Sequence, residues 1–111
     1  YNDYFENPIE RKNCETAWLA FPLLIKKDAP FKRKEMQIFL EKQNIQTRVV
    51  FTGNIIRQPM CKDINFKVID GGCPNSDNVM RSGILLPVHH GLTEEMFERL
   101  HSVINKFINS F

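Results

Sequence analysis

The sequence predicts a two-layer α/β (α+β) domain, a three-stranded sheet backed by helices, and three observations carry that expectation. Short, bounded apolar runs of strand length occur at residues 18–25, 47–52 and 84–88. Segments 32–43 and 93–108 repeat their apolar residues at helical spacing. The two patterns alternate along the chain, as layered α/β domains require. The 111 residues, 42% hydrophobic and 25% charged, suit one soluble domain with a single core.

Residues 1–16 are polar and irregular, broken by Pro8, and read as a lead-in whose aromatics dock elsewhere. The domain proper then spans residues 17–111. Trp18 to Ile25 is nearly all apolar and stops at Lys26-Lys27-Asp28, which predicts a buried strand; Pro22 within it requires an edge position or a bulge. In the segment from Lys32 to Gln43, Met36, Phe39 and Leu40 fall on one helical face, and Asn44 is a plausible stop.

The β-branched and aromatic residues of Thr47–Thr52 suit a second strand ending at Gly53. From Asn54 to Pro74 the spacing of Pro59, Gly71, Gly72 and Pro74 predicts a long loop, a feature usually functional or mobile. Asn75-Ser76-Asp77 is a good cap for a short helix through Val79 and Met80, closed by Gly83. Ile84–Val88 reads as the third strand. Thr93 caps the last helix, with Glu94 and Glu95 favourably placed in its first turn, and an apolar stripe runs from Met96 or Phe97 through Leu100, Val103, Ile104, Phe107 and Ile108.

Composition narrows the function. A net charge of +2, with Lys and Arg alternating with Glu and Asp, argues against nucleic acid, which needs cations gathered on one face. No apolar run approaches the roughly 20 residues of a membrane helix, and the amino end resembles no signal peptide. A cytoplasmic domain is expected, and a chain opening on Tyr1 reads as part of something longer. Cys14, Cys61 and Cys73 are an odd number without Cys-x-x-Cys spacing, so reduced thiols are expected rather than a disulfide framework or a zinc site.

The most informative stretch is Thr52–Pro59. It sets Asn54, Arg57 and Gln58 just beyond a strand end, where a guanidinium can grip a carboxylate or phosphate with two hydrogen bonds and the amides can both donate and accept, as sugar hydroxyls need. Loops of this kind also often cap their own turns. Arg48 shares a strand face with Val50 and reads either as a surface ion-pair residue or as an anion ligand. His89 and His90 follow the third strand and point to opposite sides, which disfavours a shared metal; His89 suits a pocket wall. No nucleophile motif, Gly-x-Gly-x-x-Gly or phosphate-cradling lysine loop is present, so no catalytic residue is nominated.

Taken together, Glu15–Pro22, Thr47–Pro59 and Leu86–Glu95 resemble, in the right order and over essentially the whole chain, the carboxy-terminal region of the DegT/StrS family of pyridoxal-phosphate-dependent sugar aminotransferases and dehydrases. The Thr-Arg…Phe…Gly-Asn…Arg-Gln-Pro form and the segment Pro74–Met80 are similar to the nucleotide-sugar 3-dehydrases acting on CDP-4-keto-6-deoxyglucose; the strand Leu85–His89 is closer to the aminotransferase style.

The resemblance implies the small domain of a fold-type-I enzyme of deoxysugar and lipopolysaccharide biosynthesis. Its pyridoxal or pyridoxamine phosphate would sit in a large domain outside these residues, held through a lysine in aminotransferases, with a histidine standing in that place in the dehydrases. The fragment alone is expected to bind no cofactor and to be inactive. On this reading Arg48, Asn54, Arg57, Gln58 and His89 contact a nucleotide-sugar substrate, the full-length enzyme is a homodimer, and neither nucleic acid nor membrane is a partner. The alternatives are a glutamate-dependent nucleotide-sugar aminotransferase and a stand-alone binding module.

Overall fold

The computed structural model describes all residues from Tyr1 to Phe111. Its elements run β1 (Phe5–Glu6), β2 (Phe21–Ile25), α1 (Arg33–Lys42), β3 (Arg48–Val49), α2 (Pro74–Ser82), β4 (Gly83–Leu86) and α3 (Glu94–Ile108), with two 3-10 turns at Ile55–Arg57 and Pro59–Cys61. The two-layer α/β architecture stands, with one correction: the sheet has four strands, not three, ordered β1-β2-β4-β3 and antiparallel throughout.

The additional strand comes from the expected irregular lead-in. Phe5 pairs with Ile25 and Glu6 with Leu24, and the buried Phe5 ring anchors the pairing by packing 5.8 Å from that of Phe31. Because β1 reaches only to Leu24, Pro22 lies where that side of β2 has no partner strand, although β2 is interior; on its other side Pro22 is paired with Leu85. A residue without an N–H is tolerated on such an open side.

Helix α1 begins where Glu35 Oε2 accepts the Lys32 backbone N–H at 2.7 Å, and it ends before Asn44, whose φ of 59° turns the chain. Its buried face carries Met36 and Leu40. Helix α3 is capped by Thr93, whose hydroxyl accepts from the Met96 N–H at 3.3 Å, and it buries Val103, Ile104 and Phe107. Met96 and Phe97, the first members of the expected stripe, are exposed. The core of twelve buried hydrophobics joins these faces to Leu23, Ile25, Ile84 and Leu86 of the central strands. Phe31 sits at its centre, 4.8 Å from the Phe107 ring.

Strand β3 is shorter than expected because Phe51 takes φ +46°, which no strand accommodates. Helix α2 starts earlier than expected: Pro74 fills its first position, where the missing N–H costs nothing, and Cys73 precedes it as the cap. Asn75, Ser76 and Asp77 therefore lie inside the first turns rather than before them. Glu41 closes the α1–β3 corner, since its Oε1 accepts from both the N–H and the hydroxyl of the buried Thr47 at 2.6 and 2.9 Å. Those bonds, the backbone one first, hold its carboxyl below the usual range.

Helix α2 passes into β4 through the buried Gly83, in extended conformation. A Cβ there would meet the Val79 carbonyl oxygen at 2.7 Å and Val50 Cγ2 at 2.8 Å. Gly83→Ala should thus cost about 1–3 kcal/mol, the usual range for overpacking, measured by urea unfolding; wild-type stability would mean that this junction is loosely packed.

Candidate functional site

The polar loop after β3 does not stand free. Arg57 and Asp77 form a two-point ion pair, Nε to Oδ1 at 3.1 Å and Nη2 to Oδ2 at 3.0 Å. Asn54 Nδ2 donates to the same Oδ1 at 2.8 Å, and Asn54 Oδ1 accepts from the Ile56 N–H at 3.2 Å. One carboxylate of α2 thus receives three hydrogen bonds from the loop, in the paired geometry that favours Arg over Lys. The two segments meet 20 residues apart in sequence for Arg57 and 23 for Asn54.

Close approach of the backbones makes this possible. Gly53 has φ +67°, and a Cβ on it would fall 2.4 Å from Met80 Cβ, so only glycine lets the loop lie against α2. On the far side of the turn Gln58 Nε2 donates to the Thr52 carbonyl at 2.9 Å, and Cys61 Sγ donates to the Ile55 carbonyl at 3.2 Å. Phe51 stands at the tip, 81% exposed and in the left-handed region. A large aromatic held there is the kind of outlier that collects at functional sites.

The five residues expected to face a ligand separate into two groups. Asn54 is 2% exposed, its amide donating to Asp77 Oδ1 and accepting from the Ile56 N–H. Arg57 is 60% exposed at its side chain despite its pairing, and Gln58 is half-buried. Arg48 is exposed on β3 and enters no ion pair, although its charge helps lower the Glu41 carboxyl. His89 is exposed and its Nδ1 accepts from the Gly91 N–H at 3.1 Å.

Gln58, Phe51 and Gly53 line a cavity of about 350 Å³ together with Val49, Met80 and Arg33. Asp77, Phe51 and Arg33 are the residues of this region that sequence reasoning missed. Arg33 Nη1 donates to the Met80 carbonyl at 2.6 Å, while its Nε is buried with no partner.

The Asp77 carboxyl is lowered to about 2, first by the Arg57 hydrogen bonds and then by that of Asn54; the same pairing raises the Arg57 guanidinium. No group of three His, Cys, Asp or Glu could hold a metal, and all three cysteines are free. No helix is long and apolar enough to cross a membrane. Pyridoxal phosphate chemistry needs an enclosed lysine, or a residue standing in its place, beside a phosphate cradle. Every lysine here is exposed except the half-buried Lys26, whose Nζ is bound to the Asn2 carbonyl. The residues of this chain do not by themselves fit that cofactor.

Residues 3–106 match the model of the DegT/DnrJ/EryC1/StrS aminotransferase family. The chain is 31% identical to the lipopolysaccharide biosynthesis protein RfbH of Salmonella typhimurium, over 98% of its own length and 24% of that protein's. It is 32% identical to the dTDP-4-dehydro-2,6-dideoxy-D-glucose 3-dehydratase of Saccharopolyspora spinosa, over 91% of the chain and 22% of the enzyme. Among solved structures, Escherichia coli GDP-4-keto-6-deoxy-D-mannose-3-dehydratase with bound hydrated PLP superposes with a TM-score of 0.77 at 23% identity, covering 90% of the chain and 25% of that enzyme. The chain therefore spans about a quarter of the length of the proteins it matches.

A carboxyl whose folded value lies below its ordinary one stabilises the fold above that ordinary value, and its contribution disappears as pH falls through the folded value. Acidification from about pH 4 to about pH 2 should therefore release the loop from α2, seen as shifts of the amides of residues 54–58 and 74–82. Asp77→Asn should abolish this step; an unchanged step in that variant would assign the transition to another group.

Proposed function

The chain belongs to the DegT/DnrJ/EryC1/StrS aminotransferase family, and from that premise we propose that it is the carboxy-terminal small domain, residues 17–111 with their lead-in, of a nucleotide-sugar 3-dehydrase in deoxysugar or lipopolysaccharide biosynthesis. It supplies substrate contacts above a cofactor held by the rest of the enzyme. The cofactor, pyridoxal or pyridoxamine phosphate, acts as the electron sink when bound. This chain's own task is to bind, orient and exclude water.

The observation that carries the proposal is the pinned loop: Asp77 fixes Asn54 and Arg57 while Phe51, Arg57 and Arg48 stay open to solvent. A guanidinium whose orientation is already set by a carboxylate loses less freedom on meeting a substrate phosphate or hydroxyl. In this role Arg57, Arg48 and Gln58 are the substrate-facing groups, His89 lies at the pocket wall, and Asn54 is a positioning residue.

Two further features support a docked role. Sixteen large hydrophobic side chains are exposed, more than the twelve in the core, among them Leu19 and Ile69 at 87% and 74%. Such surface is usual where another protein surface covers it. The similarity to the 3-dehydratase of Saccharopolyspora spinosa favours dehydration over amino transfer. The active enzyme is proposed to be a cytoplasmic homodimer.

The test uses the full-length protein with its cofactor and a CDP-, dTDP- or GDP-linked 4-keto-6-deoxysugar. The product should have lost its C3 hydroxyl and gained no amino group, with glutamate or a separate two-electron donor supplied to restore the pyridoxamine form of the cofactor. Arg48→Ala and Gln58→Ala, which spare the Asp77 pairing, should each raise KM about tenfold, the loss of one charge-assisted or well-made polar contact, with little change in melting temperature. Strict dependence on glutamate with formation of an amino sugar would instead identify an aminotransferase. Unchanged KM in both variants would remove the loop from the substrate site.

A further inference from the structure

Helix α3 carries an apolar face longer than the core that receives it. Val103, Ile104 and Phe107 are buried, whereas Met96 and Phe97, about two turns earlier on the same stripe, are 50% and 40% exposed. An amphipathic face of this kind is usual where a second surface meets it. Beside these first turns lies a cavity of about 200 Å³. Core residues Phe5, Leu23, Leu86 and Ile104 line it, together with Phe21 and Phe97. No Lys, Arg, Asp or Glu does. An adjoining groove of about 300 Å³ shares Pro87, Phe97 and Leu100 with the cavity and adds Leu92 and Met96. Its one charged residue, Arg99, donates to the Gln43 carbonyl at 2.8 Å.

Three polar residues stand in the cavity lining, Tyr1, Asn7 and His101. The Tyr1 hydroxyl donates to the His101 carbonyl at 3.2 Å, and the two rings meet edge to face at 5.8 Å. Asn7 Nδ2 donates to Asn2 Oδ1 at 2.7 Å. With these groups engaged, little is left to hold a sugar hydroxyl or a phosphate, and the space suits an apolar occupant. Apolar cavities of ~150 Å³ stay dry and accept a benzene-sized group, so this one fits a single large apolar side chain. The Tyr1 carbonyl also accepts from the Tyr4 and Phe5 N–H groups at 3.0 and 3.1 Å, which fixes Tyr1 on the cavity wall. A segment leading into Tyr1 would therefore start from that wall.

We propose that the stretch of the same polypeptide leading into Tyr1 lies across the first turns of α3 and lodges an aromatic or branched aliphatic side chain in this cavity. The inference rests on the reading above, that the chain is one domain of a longer enzyme. The matched length, 24% of RfbH and 22% of the Saccharopolyspora enzyme, leaves most of such a polypeptide outside this chain. An extended segment advances ~3.3 Å per residue, so a few residues ahead of Tyr1 span the cavity mouth. A segment tethered at the rim has a high effective concentration there and closes only a short loop when it docks. Neither a second copy nor a separate partner has that advantage. The surface uses none of the residues proposed to face the sugar nucleotide.

The experiment places a photoreactive residue on this face of the full-length protein, as Phe97→p-benzoylphenylalanine. Irradiation and peptide mapping should give an intrachain cross-link to a residue within about ten positions before Tyr1, ~33 Å of extended chain. A second reading needs no variant: Met96 of the unsubstituted full-length protein should form its sulfoxide about tenfold more slowly than in the urea-unfolded protein.

Cross-linking to a second copy, to a remote part of the same chain or to a foreign protein would overturn the proposal. So would the absence of any cross-link, or oxidation of Met96 at the unfolded rate. Sugar-nucleotide dehydration assayed on the same preparation separates this inference from the proposed function. Retained activity with a cross-link elsewhere would refute the docking alone, and the expected cross-link in a protein without that activity would refute the proposed function alone.

Discussion

The carboxylate of Asp77 organises the polar loop that follows β3. It accepts from Arg57 at two points and from Asn54 at a third, and these bonds join a loop with little regular structure to a nine-residue helix. The hydrophobic core lies elsewhere, on Phe31, Met36, Leu40, Ile84 and Phe107, so packing alone does not place this loop. What packing provides is proximity: Gly53 lies against Met80 and Gly83 against Val50, bringing the donors within reach of the acceptor. The polar bonds then select one loop conformation, in which Asn54 is buried and Arg57 remains accessible.

Long-range polar pairing of this kind leaves little trace in a sequence. The two long helices were legible because their apolar faces repeat with helical period, and Met36, Leu40, Val103, Ile104 and Phe107 are buried as that period requires. Strands β2 and β4 were legible as short apolar runs. Strand β1 was not, since two residues cannot display a period; it exists because β2 offers a partner and Phe31 receives Phe5. Strand β3 was overestimated because Val50 and Phe51 have strand-forming side chains, whereas the backbone turns at Phe51.

The candidate site was legible in part. The residue types of Thr52–Pro59 announced a polar loop, but their partner did not appear in the same stretch. Asp77 looked like a helix cap because it follows Asn75 and Ser76; Pro74 takes the first helical position instead and turns Asp77 toward the loop. A basic cleft was hidden by alternation with acidic residues along the chain. Folding gathers Lys26, Lys32, Arg33 and Arg81 around one cleft between the end of β2, the start of α1 and α2.

The account's central claim is that the Arg57–Asp77 pair acts as one unit that orients the loop for a sugar nucleotide. A double-mutant cycle tests it most directly, with Arg57→Ala, Asp77→Ala and both together compared in the full-length enzyme by direct binding of the sugar nucleotide. The account predicts strong coupling, with removal of either partner costing nearly as much affinity as removal of both. Additive losses would mean that the two side chains act independently, and would contradict it.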